Sequence, residues 1–468
     1  MRQVDYKLSK YVFFLNLRDG SAVCQIRNGA IVKLALACAK RIQNGDLSHL
    51  SKSSLNILIK HQIVIPAKTA EREELVVDFM RRKHKSTALC FTLSLGYGCN
   101  CACSSCFQNE YPKDVHMTDE TVQKVIDFIL ELAQKKRPPA IAIWYYGGEP
   151  LTYTQSGEQL SYIIKSKCND IGINVYQYMA TNGTLLSQRS SRAMLSSLDQ
   201  FHLTVSQSKQ AHGRERPYRS GANSYSDVVK GVGLLAELKK RISLRINVSN
   251  VDTLEMDLIV LLKDLAKACG GPYRGMVIQL HQHLREGALC RGNTEAARFS
   301  KDIYTHISSV VRKCMPRLDW GPENFLLHGT SQVLYSQGRC LGELCGYIRG
   351  SKFFVAPSGD LYLCNITENE PRYLLGNVRN PQEALSNKVY LRALTFLLAD
   401  RPECKSCEFL PLCITTCSIN ILEFGMPSRT SCRKKQQDKV VEYILRVTSK
   451  STEVVDKNIA RFTHEPQE

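Results

Sequence analysis

Three cysteines close together on one predicted loop could hold an iron–sulfur cluster. Cys99, Cys103 and Cys106 form a CxxxCxxC pattern, and the tetrapeptide Gly147–Pro150, Gly-Gly-Glu-Pro, follows further along the chain. Three thiolates on one loop can bind three irons of a 4Fe–4S cube, which leaves the fourth iron without a protein ligand. The same thiols could hold zinc together with a fourth ligand, or stay unliganded. An open iron would allow a small molecule to bond directly to the metal.

The cysteine triplet and Gly147–Pro150 together resemble the radical S-adenosylmethionine (SAM) superfamily. The resemblance implies that the open iron chelates the amine and carboxylate of SAM. It also implies that an electron from the cluster breaks the sulfonium C–S bond and gives a 5′-deoxyadenosyl radical. Such a radical removes a hydrogen atom from an unactivated carbon of the substrate. A zinc loop would not account for Gly147–Pro150.

The composition predicts a soluble protein of the cytoplasm. The chain has 468 residues, of which 43% are hydrophobic, and this length allows about two or three domains. No run approaches the ~20 apolar residues that a membrane span needs, and the N-terminus lacks the apolar core of a signal peptide. The 19 cysteines of such a chain favour metal ligation in a reducing compartment over disulfides.

The chain is strongly basic, with a formal net charge of +18. A basic surface attracts nucleic acid, an acidic peptide or an anionic membrane face, and charge alone does not choose among them. The charge is the only feature of the sequence that supports a nucleic-acid substrate.

The middle of the chain predicts an α/β fold built on a parallel sheet. Between about residues 88 and 314, short apolar runs alternate with longer segments of helical periodicity. The first helix is predicted to begin after Thr118, a suitable N-cap with acidic residues in the next turn. Six such units match the partial (β/α)6 barrel of the TIM type that the resemblance implies, here assigned to residues 86–315. The predicted strands cover residues 89–95, 140–146, 173–179, 201–205, 242–248 and 276–281.

In barrels of this kind the functional groups lie at the C-terminal ends of the strands. The cysteine loop follows the first predicted strand, Gly147–Pro150 follows the second, and Thr181-Asn182-Gly183, similar to the family's TNG turn, closes the third. By the same resemblance, Arg245 on the fifth strand is expected either to reach the SAM carboxylate or ribose or to form an ion pair in the barrel wall. By the resemblance, the candidate SAM contacts are Gly147, Gly148, Glu149, Pro150, Thr204 and Arg245.

The loop after the fourth strand departs from the family pattern. Related peptide-modifying enzymes have a Thr/Ser-x-Asp-Gly turn followed by a His and an Arg. Thr204, His212 and Arg216 match that pattern, but Ser206 and Gln207 replace Asp-Gly. Thr204 therefore either contacts SAM or has only a structural role in its strand.

A second group of cysteines follows the barrel, in the segment assigned to residues 316–440. CxxC pairs alone are compatible with zinc. The whole series, with Gly359 ahead of Cys364, resembles the SPASM domain of radical SAM peptide maturases. The resemblance implies two fully ligated auxiliary 4Fe–4S clusters, hence three clusters in all, and clusters without an open iron suit electron transfer. The implied ligands are Cys340, Cys345, Cys364 and Cys417 for the nearer cluster and Cys404, Cys407, Cys413 and Cys432 for the farther one.

Residues 1–85 predict a small winged-helix-like recognition domain. Their order of elements resembles the domain that captures the leader of a precursor peptide by strand addition to an exposed sheet edge. A plain accessory domain of the barrel is the alternative, and residues 441–468 are assigned to a C-terminal tail. The predicted elements are a hairpin of residues 11–17 and 22–26 around Arg18-Asp19-Gly20, helices at 30–43 and 50–60, and a strand at 61–66.

The resemblances imply a maturase that oxidises or cross-links side chains of a ribosomally synthesised precursor peptide, served by a flavodoxin- or ferredoxin-like electron donor. We expect no membrane and no nucleic-acid partner, and the catalytic residue is left unassigned. The alternatives are an RNA-modifying radical SAM enzyme and a sulfatase maturase, which makes formylglycine. In sulfatase maturases an Asp after the auxiliary-cluster cysteine is the general base. Here Asn365 follows Cys364 and cannot accept a proton at neutral pH, although Asp360 and Glu368 lie close in sequence.

Overall fold

The structure is a computed structural model, and it describes residues 5–17, 20–28, 30–85, 88–250, 252–282, 325–327, 346–397, 402–413, 453–456 and 459–462. The strands of these residues are β1 Tyr6–Leu8, β2 Val12–Leu17, β3 Gly20–Gln25, β4 Ile31–Leu34, β5 Val64–Pro66, β6 Leu89–Ser94, β7 Ala140–Tyr146, β8 Asn174–Thr181, β9 Gln200–Ser206, β10 Arg241–Val248, β11 Met276–Gln282, β12 Phe325–Leu327, β13 Lys352–Val355, β14 Asp360–Tyr362, β15 Gly376–Asn377, β16 Glu453–Asp456 and β17 Ile459–Phe462. Their α-helices are α1 Leu36–Gln43, α2 Lys52–Lys60, α3 Glu71–His84, α4 Asp119–Lys136, α5 Thr154–Asp170, α6 Arg192–Ser197, α7 Lys209–Glu215, α8 Tyr225–Glu237, α9 Leu254–Cys269, α10 Gly346–Arg349, α11 Pro381–Ser386, α12 Lys388–Thr395, α13 Pro402–Lys405 and α14 Leu410–Cys413.

The chain forms two compact units. The barrel unit comprises residues 86–328 and 349–395, and the N-terminal unit comprises residues 1–85, 329–348 and 396–468. This division differs from the predicted boundaries, because it splits residues 316–440 between the units and groups residues 441–468 with the N-terminal residues. The reason is strand pairing: β13 pairs with β6, and β17 pairs with β4.

The barrel unit is a mixed α/β fold with a central parallel sheet. The sheet order is β12-β11-β10-β9-β8-β7-β6-β13-β14-β15, and every neighbouring pair from β12 to β13 is parallel. The six strands predicted from the sequence, β6 to β11, are confirmed within one or two residues at each end. The sequence did not predict that β13 would extend the sheet beyond β6. This sheet is consistent with the partial barrel expected from the radical SAM resemblance.

Packing explains why β13 joins the sheet. Phe91 on β6, Phe128 on α4 and Phe353 on β13 are each at most 1% exposed, and their ring centroids lie 5.5 to 6.0 Å apart. Helix α4 is fixed at its start by Thr118, whose Oγ1 accepts a hydrogen bond from the Thr121 backbone N–H, as the sequence predicted. The apolar stripe of α4 thereby covers both the predicted strand and the added one.

The N-terminal unit contains a five-stranded sheet in the order β16-β17-β4-β3-β2. The predicted hairpin is confirmed as the antiparallel pair β2–β3, while residues 18 and 19 of its turn lie outside the described residues. The predicted helix at 30–43 is wrong in its first part, because Ile31–Leu34 is strand β4. The β-branched Ile31 and Val32 favour an extended chain, and residues 31–34 pair with β3.

The rest of this unit follows the sequence more closely. The helix predicted at 50–60 is α2, and the strand predicted at 61–66 is β5, which pairs with β1. The core of the unit is built from side chains of the sheet and of helices α1 and α2, including Val23, Val32, Ile42 and Leu58. Strand β2 lies at the edge of the sheet. Of the helices that the structure describes in the whole chain, none is long and apolar enough to span a bilayer.

Candidate active site

The cysteine loop follows β6 and is held in place by backbone hydrogen bonds. The Tyr97 N–H donates to the Val115 carbonyl oxygen at 2.9 Å, and the Gly98 N–H donates to the Tyr153 hydroxyl at 2.8 Å. A Cβ at Gly98 would lie 2.4 Å from the Tyr153 hydroxyl, so Tyr153 would have to move to admit a side chain there. Cys99, Cys103 and Cys106 then line one cavity of about 580 Å³.

Local donors favour the thiolate of Cys99. Hydrogen bonds from the thiol and backbone N–H of Cys101 and from the Asn182 amide lower the pKa of Cys99, although burial opposes them. Burial raises the pKa of Cys103. Cys101 itself is 4% exposed. Cys101 therefore supports Cys99 in this arrangement.

Gly147 and Gly148 lie against the cysteine loop so closely that no side chain fits. A Cβ at Gly147 would be 2.3 Å from the Gly96 carbonyl oxygen, and one at Gly148 would be 2.2 Å from that of Gly98. The Gly148 N–H donates to the Gly96 carbonyl at 2.9 Å. Gly147 also has a φ of +123°, which favours glycine. Both glycines line the cavity.

Glu149 and Pro150 are buried behind the cavity wall and do not line it. The Glu149 carboxylate accepts hydrogen bonds from the Thr181 hydroxyl at 2.7 Å and from the backbone N–H groups of Leu151 and Asn182 at 3.1 and 2.7 Å. Burial raises the pKa of Glu149 to about 7, and these hydrogen bonds partly offset the effect. Glu149 thus joins the Gly-Gly segment to the predicted TNG turn.

Thr204 and Arg245 lie side by side on β9 and β10 and both line the cavity. Arg245 donates from Nε to Asn247 Oδ1 at 3.0 Å. Among the described residues no carboxylate pairs with Arg245, so the predicted alternative of a barrel-wall ion pair has no support there. Burial and the charge of Arg216 lower the pKa of Arg245.

The loop with Ser206 and Gln207 has its own set of contacts in place of the Asp-Gly turn. The Ser206 hydroxyl donates to Glu215 at 2.5 Å, and the Ser206 N–H donates to His212 Nδ1 at 3.1 Å. The Gln207 side chain accepts from the Ser249 N–H at 2.7 Å. His212, on helix α7, is fully buried, and Arg216 lines the cavity.

Glu368 lies under the cysteine loop and does not line the cavity. The Tyr97 hydroxyl donates to Glu368 Oε1 at 2.7 Å, and the Gln108 amide lies 3.4 Å from Oε2. Burial raises the pKa of Glu368 to about 7. Asp360 is engaged by Ser358 and Asn377, and Asn365 lines the cavity. Within the described part of the chain, no aspartate or glutamate lines this cavity.

The second cysteine group is described only in part. Cys364 is half-buried after β14, and Cys404 and Cys407 lie near α13, where the Cys407 N–H donates to the Cys404 carbonyl at 3.1 Å. Only the backbone of Cys413 is described. The remaining predicted auxiliary ligands, Cys340, Cys345, Cys417 and Cys432, lie outside the described residues.

Sequence reasoning missed His202, which lies two residues before Thr204 and lines the same cavity. Alternate residues of a strand face the same side, so the prediction for Thr204 carried a signal for His202. Burial lowers the pKa of His202 to about 4, which leaves the ring neutral at neutral pH.

Residues 93–262 match the Radical SAM superfamily. The chain therefore carries a radical SAM domain over these residues. It is 21% identical to the radical SAM cyclopropyl synthase TigE of Paramaledivibacter caminithermalis over 68% of its own length, and the match spans only 65% of TigE. It is 24% identical to a serine-type anaerobic sulfatase-maturating enzyme of Klebsiella aerogenes, over 71% of this chain and 80% of the relative.

Among solved structures, the fold resembles SuiB of Streptococcus suis. The structure of SuiB bound to the precursor peptide SuiA matches with a TM-score of 0.51 and 13% identity, over 90% of this chain and 97% of SuiB. SuiB bound to S-adenosylmethionine matches with a TM-score of 0.50 and 14% identity, over 89% and 96%. At this identity the likeness concerns the fold.

The residues at this cavity fit SAM and a 4Fe–4S cluster, which are the cofactors of the radical SAM superfamily. Three cysteines border one cavity, the glycine wall leaves room for a ligand, and Ser94 Oγ beside Gly147 is buried without a hydrogen-bond partner among the described residues. In the described part of the chain, no three Cys, His, Asp or Glu side chains converge on a single ion position. A cube does not need such convergence, because each thiolate binds a different iron.

Proposed function

We propose that this protein is a maturase that oxidises or cross-links side chains of a ribosomally synthesised precursor peptide. The observation that carries the proposal is one cavity in which the cysteine triplet faces a wall of strand side chains, with no lining carboxylate among the described residues. SuiB, whose fold is similar, is bound to a precursor peptide. The expected setting is the cytoplasm, with a flavodoxin- or ferredoxin-like electron donor.

When bound, SAM and the cluster would supply a 5′-deoxyadenosyl radical that takes a hydrogen atom from the substrate. In the proposal Cys99, Cys103 and Cys106 hold the cluster. Gly147 and Gly148 offer backbone groups to the methionine end of SAM, and Thr204 and Arg245 bind its polar groups. Glu149 and Pro150 act by positioning the glycines, because their side chains are turned into the protein.

The proposal includes two auxiliary clusters, with the ligand sets implied by the SPASM resemblance. Fully ligated clusters would accept the electron that leaves the substrate during oxidation. Of the eight proposed ligands, Cys364, Cys404 and Cys407 are the ones whose side chains are described. Replacing Cys407 with Ala should abolish product while leaving some 5′-deoxyadenosine formation, and full product yield would contradict the electron-transfer role.

A sulfatase-type reaction is the second candidate, favoured by the match to a sulfatase-maturating enzyme. Its general base is missing at the expected place, because Asn365 follows Cys364 and lines the cavity. The nearby carboxylates do not replace it: Asp360 bonds with Ser358 and Asn377, and Glu368 bonds with Tyr97 and Gln108. This arrangement supports another kind of peptide oxidation.

The leader peptide is proposed to bind at the free edge of β2. Among the described residues β2 pairs only with β3, so its other edge presents backbone groups to a further strand. The Ile26 N–H donates to the Tyr11 carbonyl. Since hydrogen-bonded pairs alternate along antiparallel strands, the backbone N–H of the exposed Asn16 points away from β3.

The experiment is anaerobic reconstitution with SAM, a reductant and a candidate precursor peptide, sought among the short open reading frames of the neighbouring genes. We expect 5′-deoxyadenosine and a mass change in the peptide. Asn16→Pro removes one outward N–H and should weaken peptide binding strongly, whereas Asn16→Ala should not. Binding should fall only moderately with salt. Steeply salt-dependent binding of RNA, with none of the peptide, would replace this proposal with an RNA-modifying function.

A further inference from the structure

The end of helix α7 and the residues after it pair with the cysteine loop. Residues 215–219 run antiparallel to residues 100–104, and three backbone hydrogen bonds join them at every second residue, which is the spacing of an antiparallel ladder. We call residues 215–219 the clamp segment. Its hydrogen bonds, from donor N–H to acceptor carbonyl, are Ala102 to Pro217 at 2.8 Å, Ser104 to Glu215 at 2.9 Å and Arg219 to Asn100 at 2.9 Å.

The ladder fixes which side chains of the loop face the cavity. Successive side chains of an extended chain point to opposite sides. Cys99, Cys101 and Cys103 accordingly line the cavity, whereas Ala102 between them is exposed. The Arg219 side chain adds a hydrogen bond from Nε to the Cys99 carbonyl oxygen at 2.6 Å. The clamp segment therefore holds two of the proposed cluster ligands on one side of the loop.

Two buried residues tie the clamp segment to the end of β9. The Ser206 hydroxyl donates to Glu215 at 2.5 Å, and the Ser206 N–H donates to His212 Nδ1. On the other side of the ring, His212 Nε2 lies 2.9 Å from the Ser224 hydroxyl, which itself donates to the Arg216 carbonyl at 2.6 Å. Since the Ser224 hydrogen is engaged, Nε2 carries the proton of a neutral ring. Burial and the charge of Arg216 lower the pKa of His212 to about 3, which agrees with this assignment.

The clamp segment brings a cation to the cysteine thiols. Arg216 lines the cavity. Its charge adds to the hydrogen bonds from Cys101 that lower the pKa of Cys99, and it opposes the rise that burial causes in the pKa of Cys103. Reduction adds one negative charge to a 4Fe–4S cluster, so a cation held at this place favours the reduced form.

We propose that Ser206 and His212 are positioning residues for the iron–sulfur cluster. Through the clamp segment they keep the cysteine loop in the shape that binds the cluster, and they keep the Arg216 charge where it favours the reduced cluster. This inference rests on the cluster that the proposed function gives to the cysteine triplet, and it does not depend on the peptide substrate. It also gives Ser206 a role at the position where related enzymes have an aspartate.

The charge is tested by redox titration of the full-length reconstituted protein without SAM. Dithionite gives one electron to each cluster, and the electron paramagnetic resonance signal that later responds to added SAM identifies the cluster of the triplet. Arg216→Gln should lower the ratio of reduced to oxidised cluster at a fixed potential about tenfold, a shift of about 59 mV for one electron. Arg214→Gln, an exposed position on α7, is the matched control and should leave the ratio unchanged. A wild-type ratio in Arg216→Gln would overturn the proposal.

Ser206→Ala tests the link from β9 to the clamp segment. It removes the hydrogen bond to Glu215, so the same ratio should fall by about threefold as the Arg216 charge moves away. The SAM-responsive signal should also decay about tenfold faster in the presence of an iron chelator, the equivalent of one hydrogen bond to a charged group. Ser226→Ala, at an exposed position on α8, is the control and should match the wild type. Wild-type values in Ser206→Ala would refute the link.

A pair of variants at His212 separates hydrogen bonding from packing. His212→Gln can still accept from the Ser206 N–H and donate to the Ser224 hydroxyl, so its ratio and decay rate should be close to wild type. His212→Leu can do neither and should behave like Ser206→Ala. Equal losses in the two His212 variants would contradict the positioning role. This pair decides the question if Ser206→Ala does not fold.

The same measurements distinguish this inference from the proposed function. If the wild-type protein takes up no SAM-responsive cluster, the cofactor site of the proposed function is wrong. If the cluster binds and responds to these variants as expected but no peptide is modified, the peptide substrate is wrong while the clamp segment stands. If the wild type modifies peptide but Ser206→Ala and His212→Leu keep the wild-type ratio and decay rate, only the positioning role fails.

Discussion

The two sides of the cavity are built in different ways. On the loop side, the cysteine loop and the Gly147–Gly148 segment are fixed by backbone hydrogen bonds and by close contacts that exclude any Cβ. On the strand side, Thr204, His202 and Arg245 project from a regular sheet whose backbone would accept many residue types. The loop side therefore constrains the sequence tightly, while the regular backbone of the strand side leaves the choice of side chain open.

The cysteine triplet tests the loop side most strongly. Replacing Cys99, Cys103 and Cys106 together with Ala should remove about four irons per chain, one 4Fe–4S cube, and all cleavage of SAM. Iron content and 5′-deoxyadenosine yield measure the two effects. Cys168→Ala, in helix α5 and outside the cavity lining, serves as the control and should retain the iron. Stoichiometric zinc in anaerobically purified wild-type protein would contradict the cluster assignment.

Gly148→Ala tests whether the close contacts on the loop side are required. The added Cβ would lie 2.2 Å from the Gly98 carbonyl oxygen, so the two segments must separate. We expect a loss of about 1–3 kcal/mol in the free energy of unfolding and at least a tenfold loss of SAM cleavage. Gly172→Ala is the control, because no atom lies within 4 Å of the added Cβ. The only cost there is the left-handed backbone conformation, so SAM cleavage should be normal. Equal activity losses in both variants would mean that the contact is unimportant.

Arg245→Gln tests the strand side of the cofactor site. A hydrogen bond to a charged group contributes about 1.5–3 kcal/mol, so losing it should weaken SAM binding about ten- to hundredfold. Arg241→Gln, at the exposed start of the same strand, is the matched control and should bind SAM normally. Calorimetric titration with SAM gives both affinities. Wild-type affinity in Arg245→Gln would leave this arginine with a role in the barrel wall alone.

The loop side was easier to predict from the sequence than the strand side, because only a few residue types can meet its constraints. Cysteine ligation and close backbone approach restrict residue type, so Cys99 and Gly147 were visible as a pattern. His202 was missed although it lies on the same face of β9 as Thr204, because a single histidine in a strand forms no motif of its own. Glu149 was predicted as a SAM contact within Gly147–Pro150. Its side chain turns away from the cavity because it accepts hydrogen bonds from Thr181 and Asn182, which the sequence does not reveal.

The fold shows the same limit. The six strands β6 to β11 were predicted because short segments rich in apolar residues alternate there with longer segments of helical periodicity. The strand at Ile31–Leu34 was read as part of a helix, because a four-residue run next to a helix has no periodicity of its own. The pairing of β13 with β6 depends on the contact of Phe353 with Phe91, which joins residues far apart in sequence.

The smallest effect expected on activity is that of Glu368→Gln, since glutamine can still accept from Tyr97 and leaves the cavity lining unchanged. The folded-state pKa of Glu368 is about 7, above its ordinary value of 4.5. Between these values the unfolded chain loses the proton while the folded protein keeps it, so this group lowers the free energy of unfolding as pH rises, by at most about 3 kcal/mol. Glu368→Gln should therefore match the wild type near pH 4.5 and become the more stable protein by pH 7. Urea unfolding at both values measures the difference, and a constant offset across this range would show that Glu368 does not titrate there.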